Sequence, residues 1–174
     1  MLNNQPVFAE LFGLVIFNLD RLVEFKQRHN LDEDLLTAFT TTDLGTQLSE
    51  EGVVIPLTGI LGEYYHFSIH NQQTDRPYLT ENQIVIKSDG WILESRKGEL
   101  TVCGIGYLKQ FDSDYFAHAD KFIRLPILPG WNEVTITGGI DDSERLVYEL
   151  SVVNKSDKPL FSGNFEDSFN ITDQ

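Results

Sequence analysis

The stretch that most constrains this chain is Phe122–Gly139, FIRLPILPGWNEVTITGG. Two apolar, β-branched runs, Phe122–Leu128 and Val134–Ile136, flank Pro129-Gly130. Proline presets φ near −65° and glycine accepts positive φ, so the dipeptide favours a tight turn between residues that suit a pleated surface. The pattern predicts a β-hairpin and places the chain among sheet proteins.

The same period of two recurs elsewhere. In EYYHFSIH, Tyr65, Phe67 and Ile69 fall on one face and Tyr64, His66, Ser68 and His70 on the other. Gln83–Ser88 and Trp91–Arg96 flank Asp89-Gly90, a strong hairpin signal, and Lys97-Gly98 turns into Glu99–Leu108, which predicts a meander. Arg145–Val153 is the last long strand, with Leu146, Tyr148, Leu150 and Val152 inward. Val7–Phe17 reads as a first strand, interrupted at Gly13 by a bulge.

The N-terminal part differs. Leu19, Leu22, Val23 and Phe25 have helical spacing, with Asn18 or Asp20 as cap. Asp32, Glu33 and Asp34 suit the first turn of a second short helix, with Leu31, Leu35, Leu36 and Phe39 as its buried face, and Thr42 or Asp43 starts a further turn. The expected class is mainly β (α+β): an antiparallel β-sandwich or strongly curved sheet with a short helical N-terminal segment. One domain is expected over 1–174, with helices in 18–50, the sandwich in 52–163 and a frayed tail at 164–174.

Thirteen Lys and Arg stand against 27 Asp and Glu, a net charge of −14 spread along the chain. Such a field repels phosphates and attracts a basic partner, which argues against direct nucleic-acid binding. The one cysteine, Cys103, lies in an apolar run and reads as a buried thiol. The apolar segment Leu11–Phe17 is far short of the ~20 residues that span a bilayer, so no membrane association and a cytoplasmic location are expected.

No motif specifies a reaction. There is no serine nucleophile elbow, no phosphate-cradling glycine loop and no zinc cysteine pair. His66 and His70, four apart on a strand, stand roughly 13 Å from each other, too far for one Zn²⁺ with bonds of ~2.1 Å. Asp112, Asp114, His118 and Asp120 in FDSDYFAHAD could surround a cation, but the segment lacks the glycine and terminal glutamate of an EF-hand loop. No catalytic residue, metal or cofactor is therefore expected. Trp131 and Tyr64 fall off the apolar alternation, as interface anchors or sugar-stacking platforms do.

The segments EEGVVIPLTGI…YYHFSIHN and FIRLPILPGWNEVTIT resemble small acidic bacterial proteins of the immunity or nuclease-inhibitor type, among them the competence nuclease inhibitor of bacilli. The resemblance covers roughly 52–139 and implies inhibition of a toxin or nuclease by occlusion. The reading is thus a non-enzymatic binding protein for a basic toxin or nuclease domain, with Asp112, Asp114, Asp120, Asp141 and Asp142 meeting the partner and Trp131 as anchor. The alternative is a carbohydrate-binding β-sandwich using Trp131, Tyr64 and Trp91.

Overall fold

The apolar residues of the strands point into two cores, one between two sheets and one between a sheet and its helices. This arrangement is seen in the computed structural model, which describes residues 1–172. The larger sheet contains β1 (Val7–Phe8), β4 (Tyr64–Asn71), β5 (Ile84–Ser95), β8 (Gly130–Ile140) and β9 (Leu146–Lys155), in the spatial order β1-β4-β9-β8-β5. The smaller contains β2 (Gly13–Phe17), β3 (Val54–Thr58), β6 (Glu99–Gly104) and β7 (Ile123–Pro126), in the order β3-β2-β6-β7. The helices α1 (Leu19–Arg28), α2 (Leu35–Thr41), α3 (Leu44–Glu50) and α4 (Ser113–His118) contribute to the second core, on the outer face of the smaller sheet. The fold is α+β, with two antiparallel-rich sheets.

Strand β2 shows the layering. Leu14 and Ile16 enter the inter-sheet core, while Val15 and Phe17 enter the core beneath the helices. A strand covered on both faces reads as an unbroken apolar run, as GLVIF does. The helices form where local signals place them. The Asn18 side chain accepts from the Arg21 N–H at 3.1 Å and that of Asp34 from the Thr37 N–H at 3.0 Å. Leu22 and Phe25 form the buried stripe of α1.

Four strand expectations are corrected. First, Phe122–Gly139 is not a hairpin: β7 pairs with β6, and β8 pairs with β5 and β9 in the other sheet. Pro129-Gly130 is a corner that carries the chain across the core, with Gly130 at φ 97° and the Asn132 amide donating to the Leu128 and Gly130 carbonyls. Ile123, Leu125, Val134 and Ile136 still share one core, but it lies between the two sheets. Second, Asp89-Gly90 is a bulge within the continuous β5, whose register against β8 slips between Ser88 and Trp91. Third, β6 leaves the supposed meander for the smaller sheet, and Ser95 Oγ, accepting from the Gly98 and Glu99 amides, holds the crossing. Fourth, Val7–Phe17 breaks at a 3-10 turn over Glu10–Phe12, before Gly13, so that β1 and β2 join different sheets. One pair, β4 with β9, is parallel.

The expected strand Glu99–Leu108 ends at Gly104, and the chain continues as a 3-10 stretch over Ile105–Gln110 followed by α4. The tail is corrected too. Phe169 and Ile171 are 3% and 2% exposed, the Tyr148 hydroxyl donates to the Phe169 carbonyl at 2.6 Å, and Phe161, Phe165 and Phe169 surround Trp91. These aromatic side chains pull the segment down, because leaving them in water costs more than ordering the backbone. The part of the expected frayed tail at 173–174 lies outside the described residues.

Candidate protein-binding surface

Where β1 gives way to β2, the chain makes its 3-10 turn with Leu11 and Phe12 at φ 53° and 59°. L-residues enter this left-handed region at a cost. Two backbone bonds hold the turn against the loop before β4: Ala9 N–H to the Glu63 carbonyl at 3.0 Å and Ile60 N–H to the Phe12 carbonyl at 3.3 Å. Neither needs a large side chain at residues 11 and 12.

The side chains nonetheless point to solvent and gather there. Leu11 is 54% exposed and Phe12 65%; Phe8, Leu61 and Tyr64 are exposed beside them. The rings of Phe8 and Tyr64 lie 5.1 Å apart, and Gly62 sits between Phe8 and Phe12, where an added Cβ would be 3.8 Å from each ring. Phe8, Phe12 and Tyr64, from two separate segments, thus build one apolar patch, with Leu61 and Leu11 exposed at neighbouring chain positions, unlike scattered single exposures. Glu63 is exposed beside it and the half-buried Glu10 lies over Gly104 and Gly106 at its edge, and neither has an ion-pair partner among the described residues.

The residues expected to meet a partner do not converge. Asp112 caps α4, its carboxylate accepting from the Asp114 and Tyr115 amides at 2.9 and 3.2 Å. Asp114 is exposed in the first turn of that helix, along a shallow groove with Asp20 and Glu24 that Arg96 and Lys97 also line. Asp120 is exposed ahead of β7. Asp141 is withdrawn: only 7% exposed, it binds the Ser143 and Arg145 amides, the Arg145 guanidinium and the Tyr78 hydroxyl, and so closes the β8–β9 turn. Burial alone would raise its pKa, but those donors together hold it well below the usual carboxylate range. Asp142 beside it is exposed and accepts from the Gln83 amide. Trp131 lies at the other end of β8, roughly 30 Å from Asp141 at ~3.3 Å per residue. It is half-buried over Gly52, with the Lys158 ammonium 5.8 Å from its ring.

Trp91 is no sugar platform. It is 1% exposed, its Nε1–H donates to Ser88 Oγ at 2.7 Å, and three phenylalanines enclose it.

One buried polar cluster has the chain order of a relay. Ser151 Oγ lies 2.9 Å from His70 Nε2, and His70 Nδ1 lies 3.4 Å from Glu149 Oε2. The carboxylate is engaged elsewhere, accepting from the Tyr78 and Leu79 amides and from Ser68 Oγ. Strand β9 runs between β4 and β8, so its amides are committed to the ladders and give no oxyanion donors at Ser151. The cluster pins the Tyr78–Leu79 segment to the outer face of the sheet. His66 is half-buried with Nδ1 3.3 Å from the distant Asn3 carbonyl, and His118 is exposed with Nδ1 2.8 Å from the Asp114 carbonyl of its own helix. Among the described residues, no group of three His, Cys, Asp or Glu side chains is placed to hold a metal ion, and no helix is long and apolar enough to cross a membrane.

Searched against known proteins, the chain matches no protein-family model and no curated protein. Among solved structures it is similar to ComJ, inhibitor of the DNA degrading activity of NucA, from Bacillus subtilis. The TM-score is 0.50 and the identity 11%, over 89% of this chain and 99% of that one. The resemblance to nuclease-inhibitor proteins therefore holds at the level of the three-dimensional fold.

Proposed function

We propose that this chain is a non-enzymatic binding protein of the immunity type, which neutralises a basic toxin or nuclease domain by covering its working surface. The observation that carries the reading is the exposed apolar patch around Phe12 on a chain with a net charge of −14. An apolar centre supplies affinity once water is excluded, and a surrounding negative field speeds encounter with a cationic partner. The likeness in fold to ComJ supports a nuclease as that partner. Asp114, Asp120 and Asp142 contribute to the steering field from outside the patch. The same field disfavours nucleic acid as the direct ligand. We place the protein in the cytoplasm.

The test is inhibition. Strongly basic nuclease domains encoded in the source genome, with NucA as a reference, are assayed for DNA degradation while this protein is titrated in. Stoichiometric loss of degradation for at least one nuclease is expected, with an association rate that falls as salt rises. Unchanged degradation across the panel refutes the reading, and a salt-independent association rate refutes the steering.

A further inference from the structure

We infer that the left-handed turn Glu10–Phe12, with Leu61 and Tyr64, is the part that enters the partner, and that it enters the phosphate-binding cleft of a nuclease. The inference deepens the proposed function and rests on it.

The backbone conformation is the first reason. A turn selected only for connecting β1 to β2 would carry glycine or asparagine at its positive-φ positions. Instead two bulky apolar residues occupy successive left-handed positions and spend their side chains on solvent. Strain of this kind marks places where a side chain is wanted in a set direction. The Ala9–Glu63 and Ile60–Phe12 backbone bonds fix that direction before any partner arrives.

The electrostatic surroundings choose the occupant. Glu10 and Glu63, like most carboxylates of this acidic chain, have no ion-pair partner among the described residues, so the patch sits in a negative field that no neighbouring cation neutralises. A second copy would bring the same carboxylates and the same net charge against them, and an anionic membrane surface would be repelled likewise. A cleft that grips a DNA backbone presents cations around a space wide enough for a duplex. Glu10 and Glu63 take the cations there, and Phe12, Leu11 and Tyr64 fill the space, so that inhibitor and DNA exclude one another.

The test uses a nuclease that the wild-type chain inhibits, together with its catalytically inactive form and a fluorescent DNA duplex. Leu11→Asn with Phe12→Asn keeps residues that tolerate positive φ, so the turn persists while the apolar side chains are lost. This variant is expected to keep the wild-type circular dichroism and melting, to weaken inhibition roughly 30-fold or more, and to fail to displace the duplex. Glu10→Gln with Glu63→Gln is expected to slow association and to flatten its salt dependence. Asp114→Asn with Asp120→Asn tests the rival surface near α4. If the asparagine variant inhibits within about threefold of wild type, or if the Asp114 and Asp120 changes alone abolish inhibition, the docking assignment is overturned while the inhibitor reading stands. If nuclease binds duplex and inhibitor together, the cleft assignment is overturned. If the wild-type chain inhibits nothing, both readings fall.

Discussion

Replacing Glu149 by alanine tests how the outer face of the larger sheet is built. Glu149 is 1% exposed, and its carboxylate accepts from the Tyr78 amide, the Leu79 amide at 3.4 Å and Ser68 Oγ at 3.3 Å, with His70 Nδ1 3.4 Å away. Truncation leaves these donors facing an apolar hole. Each buried donor left unpaired costs about 1–3 kcal/mol. The segment has one escape, which is to swing Tyr78 and Leu79 into water. That forfeits the burial of Leu79, now 1% exposed, at about 1.5–3 kcal/mol. Three unpaired donors would together cost about 3–9 kcal/mol, so the escape is the cheaper route and the loss is about 2–4 kcal/mol, large beside a typical total stability of about 5–15 kcal/mol. With an m-value of about 2 kcal/mol/M, the urea midpoint falls by about 1–2 M. Glu149→Gln keeps the shape and one acceptor oxygen and loses less. Equilibrium unfolding measures both variants, and amide hydrogen exchange at Tyr78 reports the local opening. A change of less than about 0.5 kcal/mol for Glu149→Ala, or unaltered exchange at Tyr78, refutes the pinning role.

Four further outcomes follow from the geometry. Asp141 has a depressed folded-state pKa, so its contribution is present above the unfolded value of about 3.9 and is lost as pH falls through and below it; Asp141→Asn flattens that acid limb, read as urea midpoints between about pH 7 and 3, and parallel curves for the two proteins refute it. Burial pushes the Cys103 thiol up, so a thiol-specific disulfide reagent leaves the native protein untouched and modifies one thiol per chain on unfolding; fast native reaction contradicts the packing. Trp91→Ala costs about 3–5 kcal/mol as a core truncation, while the half-buried Trp131→Ala costs about 1 kcal/mol; equal losses overturn the placement of the two rings. Leu11→Asn with Phe12→Asn changes stability by less than about 1 kcal/mol, because relief of the left-handed penalty offsets the little burial lost; a loss above about 2 kcal/mol makes these side chains structural.

The helices were legible because their signals are local. Asn18 caps α1 as expected, and the spacing of Leu22 and Phe25 needs no knowledge of the rest of the chain; α2 was found but begins only at Leu35, so that Asp34, expected in its first turn, is its cap. Strand positions were legible for the same reason: the inward residues of β9 and β4 follow the pleat. Sheet membership was not. Pro129-Gly130, Asp89-Gly90 and Lys97-Gly98 each place glycine at positive φ between extended residues, and that chemistry serves a hairpin, a bulge or a corner equally. The partner strand decides among them. At Asp89-Gly90, β8 runs alongside both halves of β5, so the chain bulges and continues. At Pro129-Gly130, the two sides belong to different sheets, so the same dipeptide turns a corner. Burial patterns do not separate these cases, since a facing pair of sheets hides the same alternate residues that one half-covered sheet does.

Of the proposed docking patch only Tyr64 was legible, as a ring off its strand's alternation, and the rest was hidden for a related reason. Phe8, Leu11 and Phe12 are apolar residues in an apolar run, and hydropathy assigns such residues to a core. The acids are the converse: Asp112 and Asp141 stand in polar stretches, yet one caps a helix and the other is withdrawn into a turn. Charge and hydropathy describe what a side chain is suited to, whereas backbone geometry describes what it is held to. At Leu11 and Phe12 the two conflict, because an L-residue of low turn propensity is kept at positive φ with its apolar surface in water. A conflict of that kind raises the free energy of the folded chain and gives nothing to the core. The Ala9–Glu63 and Ile60–Phe12 backbone bonds hold it in place, and in the proposed complex those side chains would be covered, which is why the turn is the first place to test.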